Sequence, residues 1–264
     1  MRILNFLFSR SKQEQDKPIR DKLKTRKDFE RVLAEDLDIM ETTKARMDTA
    51  KNINLYMYRS LSYSYILILQ SKYSVDAKID ELRDIYIKSM YYFLQAFNKR
   101  NPIYADILNY VSLGVLLNIP DNNFRQLIDY VKQMDKQAKP SGWTPDLLLW
   151  FMLNSRLKEQ EKLKYAETLA YPRLYNGLYK VIQAPNAAAA KDALNKYLDR
   201  WYNLNSDAPW YNSHLKDNCY RGYWAWEVAA VAKIMHIYDT DLKNNQYYPY
   251  DMVHWADNET TAKE

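Results

Sequence analysis

Three histidines and one cysteine, His214, His236, His254 and Cys219, are all that this 264-residue chain offers as soft metal ligands or neutral-pH proton carriers. Metal binding and nucleophilic catalysis need such groups at set spacings, and no HxxxH, HExxH or CxxC occurs. His214 and Cys219 stand near enough in sequence to share a zinc ion, but no further ligand spacing supports them. No GxSxG, Walker loop or GxGxxG is present, and four glycines leave little room for one. The residues therefore predict no catalytic group, no metal and no cofactor. An enzyme or metal protein built on Glu227 and His214 is the minority reading.

The chemistry that stands out is that of recognition. Trp201-Tyr202, Trp210-Tyr211, Tyr220-Arg-Gly-Tyr-Trp-Ala-Trp-Glu227 and Tyr247-Tyr-Pro-Tyr-Asp251 crowd aromatic rings into one stretch, and large amphipathic rings anchor protein interfaces. Acids are interleaved with them: residues 196–264 hold ten Asp/Glu against seven Lys/Arg. Asp207, Trp210, Tyr211, Asp217, Trp226, Glu227, Asp239, Asp241 and Asp251 are the candidate partner-binding residues, with Asp257 a further member of the acidic patch. On a helix over 216–236, Tyr220, Trp224, Val228, Val231 and Met235 fall within about 40° of one line. Glu227 then lies about 60° from that line, at the edge of the apolar stripe, while Trp226 and Lys233 point outward. A carboxylate so placed needs a hydrogen bond or a charge partner, so Glu227 either ties its helix to a neighbouring loop or Arg, or contacts a partner directly.

The elements that must position these residues read as helices. Thr25 and Asp28 open a helix over 26–49, with Phe29, Val32, Leu33, Leu37 and Met40 at helical spacing. Further helices are predicted over 52–72, 76–99, 103–118 and 122–138. Lys139-Pro-Ser-Gly142 is the densest run of breakers, and the predicted boundary between two halves. Thr144-Pro145 opens the next helix, through Leu157, followed by 159–169, 173–183, 187–203 and 216–236. The expected architecture is all-α: nine to ten helices in two packed helical domains, 20–139 and 140–264, behind a flexible basic leader, 1–19, with no β-sheet of consequence. No repeat period supports a solenoid.

Glycine usage agrees. Average composition would give roughly 18 glycines, whereas hairpin-rich and Gly-loop folds depend on them. Residues 1–31 carry ten Lys/Arg against five acids, which accounts for the whole net charge of +5. The remainder is neutral, so no direct nucleic-acid binding is expected of it. No run of 18 apolar residues occurs, so no stable membrane insertion is expected, and the single cysteine fits a reducing, cytoplasmic setting.

The run Tyr220-Arg-Gly-Tyr-Trp-Ala-Trp-Glu-Val-Ala-Ala-Val-Ala-Lys233, with Ile237, Asp239, Leu242 and Tyr247 to His254, resembles the C-terminal domain of the PoNi immunity proteins. Lys196 to Tyr202, Trp210 and His214 resemble the same domain, and Arg20 to Lys24, Phe29 and the 104–119 segment resemble its N-terminal companion. The resemblance implies an all-helical, non-enzymatic cytoplasmic protein. Its partner would be a cognate PoNe-type nuclease toxin of interbacterial competition, neutralised by covering the active site or the DNA-binding surface. The alternative of another class is a helical adaptor that binds a different protein.

Overall fold

Helix α1, Arg26–Thr49, starts where Thr25 and Asp28 cap each other: the Thr25 hydroxyl accepts from the Asp28 N–H at 3.3 Å, and the Thr25 N–H donates to the Asp28 carboxylate at 3.0 Å. The computed structural model describes residues 18–96, 103–138, 140–216 and 218–256. The predicted leader, but for its last two residues, and the 97–99 end of the third predicted helix lie outside them, as do Asp217 and Asp257. Among the described residues there are ten α-helices and no strand, as the composition and periodicity predict.

Contacts divide the chain into two compact units: Met1–Phe97 with Asn212–Tyr223, and Asn98–Tyr211 with Trp224–Glu264. The first division of the chain falls between Phe97 and Asn98. In the first unit α1 packs on α2, Leu55–Val75, which packs on α3, Ile79–Ala96. Small buried residues allow the second contact to be close: the Ser89 hydroxyl of α3 donates to the Ser62 carbonyl of α2 at 2.8 Å. The core between the helices is Phe29, Leu61, Leu69, Tyr73, Leu82, Tyr86 and Phe93.

The twelve residues Asn212–Tyr223 return to this unit as a clasp. Arg221 donates to both oxygens of Asp36 on α1, at 2.8 and 2.7 Å, and the Tyr220 hydroxyl donates to Asp21. Gln70 and Ser74 of α2 donate to the carbonyls of Gly222 and Arg221, each at 2.8 Å. These long-range bonds explain why the helix predicted over 216–236 is absent before Trp226. Gly222 sits at φ 105°, a conformation an L side chain rarely takes, so it interrupts the helix here instead of lying inside one. The shared stripe of Tyr220 and Trp224 with Val228 therefore does not exist.

The second unit is built from α4 (Tyr104–Leu116), α5 (Asp121–Gln133), α6 (Leu147–Asn154), α7 (Pro172–Ile182), α8 (Ala187–Leu204), α9 (Trp226–Ile234) and α10 (Tyr250–His254). Helix α9 is its hub, packed on α4, α6, α8 and α10. Its run Val228-Ala-Ala-Val-Ala232 is buried all round, and the short side chains let four neighbours approach. Asp146, not Thr144, caps α6: it accepts from the Leu149 N–H at 2.8 Å, the Tyr104 hydroxyl at 2.8 Å and the Ala170 N–H at 2.7 Å. Beyond the π-turn Met134–Ala138, Asp135 of that turn takes the indole N–H groups of Trp143 and Trp150, each at 2.6 Å.

The helix predicted over 159–169 reduces to one 3₁₀ turn, Glu159–Glu161. Its backbone is claimed by α6: the Asn154 amide pairs with both backbone groups of Leu163, at 2.8 and 2.9 Å, and the Leu147 N–H donates to the Thr168 carbonyl at 3.0 Å. Helices α7 and α8 meet at Gly177, where an added Cβ would stand 2.7 Å from Cδ2 of the buried Tyr197 ring. Gly177→Val is expected to cost about 2 kcal/mol by overpacking, read as a lower urea midpoint; an unchanged midpoint would show that the ring can give way.

Candidate partner-binding site

The C-terminal end of α8 carries Trp201 and Tyr202, and the chain then doubles back through 205–211. The turn is tied by Asn205, whose amide donates to the Trp201 carbonyl at 2.8 Å, and by the N–H of Ala208 to Asn205 and of Tyr211 to Ala208, each at 2.9 Å. The reversal lays the second Trp-Tyr dipeptide on the first, like on like. Trp210 stacks on Trp201 at 5.4 Å with planes 18° apart, and Tyr211 stacks on Tyr202 at 4.5 Å and 27°. Tyr247 covers the other face of the Tyr pair, 5.4 Å from Tyr202 and 5° from parallel, and also touches Trp201 at 5.4 Å. Trp201 is buried, Tyr202, Tyr211 and Tyr247 are partly buried, and Trp210 is 36% exposed. A preformed aromatic terrace of this kind offers contact area at low entropic cost.

Glu227, in the first turn of α9, lies under the terrace: the Trp201 indole N–H donates to its Oε1 at 2.6 Å. The tie is to a helix and a neutral indole, neither a loop nor an Arg. Burial pushes the carboxyl up to about 6, against the lowering effect of the Trp201 bond.

The other predicted residues are scattered over different roles. Trp226, assigned to the outer face, is 5% exposed and part of the core beside Trp224. Its outward direction depended on the helix beginning at 216, and α9 begins at Trp226 itself. Asp239 is 2% exposed; the Tyr248 hydroxyl donates to one oxygen at 2.6 Å and His254 Nε2 lies 2.8 Å from the other, so it pins the 239–254 loop. Asp207 is exposed at the rim of the terrace and paired with Arg173 at 2.8 Å, a solvent-screened pair of small energetic weight. Asp241 pairs with Lys191 at 2.6 Å, which holds its carboxyl below the usual range, and Asp251 is exposed on α10. Asp217 lies outside the described residues. The structure thus brings together Trp210 and Tyr211 and, through Trp201, Glu227, with Asp207 on the turn between the two dipeptides. The Glu227 charge also acts on the buried Tyr175 and Tyr197, which the sequence did not single out, because a tyrosine on the core face of a helix has the same spacing as any packing residue.

Among the described residues no cluster of three His, Cys, Asp or Glu is placed to hold a metal ion, and no helix is long and apolar enough to cross a membrane. Comparison with known proteins decides the family. Residues 11–129 match the family model of the PoNe immunity protein (PoNi) N-terminal domain, and residues 144–252 match that of the C-terminal domain. The chain belongs to the PoNi family of PoNe immunity proteins. The PoNi match starts at residue 11, inside the stretch read as a leader. The fold is also similar to the crystal structure of protein PA2201 from Pseudomonas aeruginosa, with 19% identity, 93% of each chain covered and a TM-score of 0.71. No curated protein matches the sequence. Within the PoNi C-terminal match fall the whole terrace and Glu227; the N-terminal match covers α1 to α4 and most of α5.

Proposed function

We propose that this chain is an immunity protein that neutralises a cognate PoNe-type DNase toxin by binding it and covering its active site or DNA-binding surface. The observation that carries the reading is the match to both PoNi domains across residues 11–129 and 144–252. The terrace supports a protein partner: rigid, half-exposed Trp and Tyr rings are the residue types that dominate interface energetics. Asp207, Asp241 and Asp251 stand exposed in the same unit, the first two paired with Arg173 and Lys191, and a basic DNA-binding surface would exchange for those partners. Trp210 and Tyr211 are the proposed contacts, with Asp207 at their edge.

The direct test is co-expression with a PoNe-type nuclease, taken from the neighbouring gene if that gene encodes one. Cells producing the nuclease alone are expected to die and those producing both proteins to survive; equal death in both cultures removes the reading. Trp210→Ala is expected to weaken nuclease binding at least tenfold, measured by calorimetry, with a small change in melting temperature, because the ring it uncovers, Trp201, stays packed against Tyr247.

A further inference from the structure

Among the described residues the buried carboxylates are fully engaged, whereas the partly buried Glu227 is not. Asp21, Asp36, Asp135, Asp146 and Asp239 each have donors on both oxygens, from Tyr and Trp side chains, His254, backbone N–H groups or Arg221. Glu227 has one side-chain donor among the described residues, the Trp201 indole on Oε1, and otherwise only the N–H of its own residue. No Lys, Arg or His among the described residues pairs with it. A carboxylate shielded by protein and lacking a counter-charge is unfavourable in isolation, and a cation brought by a partner relieves it.

The surroundings specify which cation. Trp201, with Trp210 stacked on it and partly open to solvent, presents indole π-systems next to the carboxylate. Tyr175 and Tyr197 are buried in the same unit, and burial together with the Glu227 charge raises their hydroxyls above the usual tyrosine range. A guanidinium has five N–H donors in one plane and stacks on aromatic faces, so it can use a carboxylate oxygen and a ring together, whereas an ammonium is a compact, strongly hydrated point charge. We propose that Glu227, Trp201 and Trp210 form a receptor for a single arginine side chain of the protein partner. The inference rests on the immunity reading, and the chemistry fits it: proteins that hold DNA do so with arginine and lysine, so a DNase surface carries the side chain the receptor takes.

Glu227→Gln tests the charge alone, since the amide keeps an oxygen for the Trp201 indole. Titrating the same PoNe-type nuclease into both full-length proteins by calorimetry is expected to give at least a tenfold weaker Kd for the variant, with no fall in its melting temperature. A purely structural Glu227 predicts equal affinities, and that result overturns the proposal. If the wild-type protein fails to bind the nuclease, the immunity reading falls separately. The receptor is then judged with N-acetyl-arginine amide against N-acetyl-glycine amide. A saturable change in tryptophan fluorescence, specific to the arginine compound and absent from Glu227→Gln, upholds it; no change, or the same change in both proteins, overturns it.

Discussion

Arg221→Met is expected to lower the stability of this protein by about 3–5 kcal/mol, the usual consequence of stranding one partner of a buried ion pair. The side chain of Asp36 is 3% exposed and both its oxygens are held by Arg221, so the substitution leaves a carboxylate in the core of the first unit with no other donor among the described residues. Burial already pushes the Asp36 carboxyl up, and the Arg221 bonds are what oppose that rise. In the variant the raised value rises further. The folded state then holds a proton that the unfolded state releases, so the deficit is largest near neutral pH and shrinks as pH falls towards the ordinary carboxylate range. Adding Asp36→Leu to Arg221→Met is expected to recover most of the loss, since an apolar pair of similar volume needs no charge compensation. Urea unfolding of the two single variants and the double variant measures the coupling; a loss under 1 kcal/mol for Arg221→Met would place the clasp outside the determinants of stability.

Glu227→Gln is expected to act in the opposite direction, stabilising the protein by about 1–2 kcal/mol at pH 7.5. Glu227 titrates near 6 in the folded chain against 4.5 for an unperturbed glutamate, so between those values the folded state binds more protons than the unfolded one. Stability therefore falls as pH rises through about 4.5 to 6, and above that window the wild-type protein carries the full cost of an ionised, shielded carboxylate. The amide carries none. The advantage of Glu227→Gln should be constant above pH 7 and vanish below about pH 4.5, in denaturant melts at matched ionic strength. An advantage independent of pH would assign the effect to packing. A residue that costs stability where it stands is what a binding role leaves behind.

The sequence made most helices legible, because their signals are local. Thr25 with Asp28, Asn186 before the Ala-rich start of α8, and Pro172 at the head of α7 each mark a boundary within a few residues of where the helix begins. Residues 218–225, expected to be helical, form no helix, because Gln70, Ser74 and Asp36, all more than a hundred residues away, take their backbone and side-chain groups. The repeated Trp-Tyr dipeptides were visible, whereas their stacking depends on the 205–211 turn, which has no glycine or proline signature of reversal beyond Pro209. The acidic patch was half legible: Asp207 and Asp241 are exposed, but their cations, Arg173 and Lys191, lie 34 and 50 residues away.

The clasp also constrains how the protein can be made. A chain growing from the ribosome ordinarily folds each domain as it emerges, N-terminal first. Here α1, α2 and α3 are complete at residue 96, but the groups that satisfy Asp36 and the second oxygen of Asp21 are not synthesised until residues 220 and 221. At about 5–20 residues per second the three helices wait on the order of ten seconds with Asp36 and one oxygen of Asp21 unanswered. Vectorial folding is thereby suspended until most of the chain exists, and a nonsense mutation anywhere upstream of Tyr220 yields no finished first unit, only a substrate for proteases.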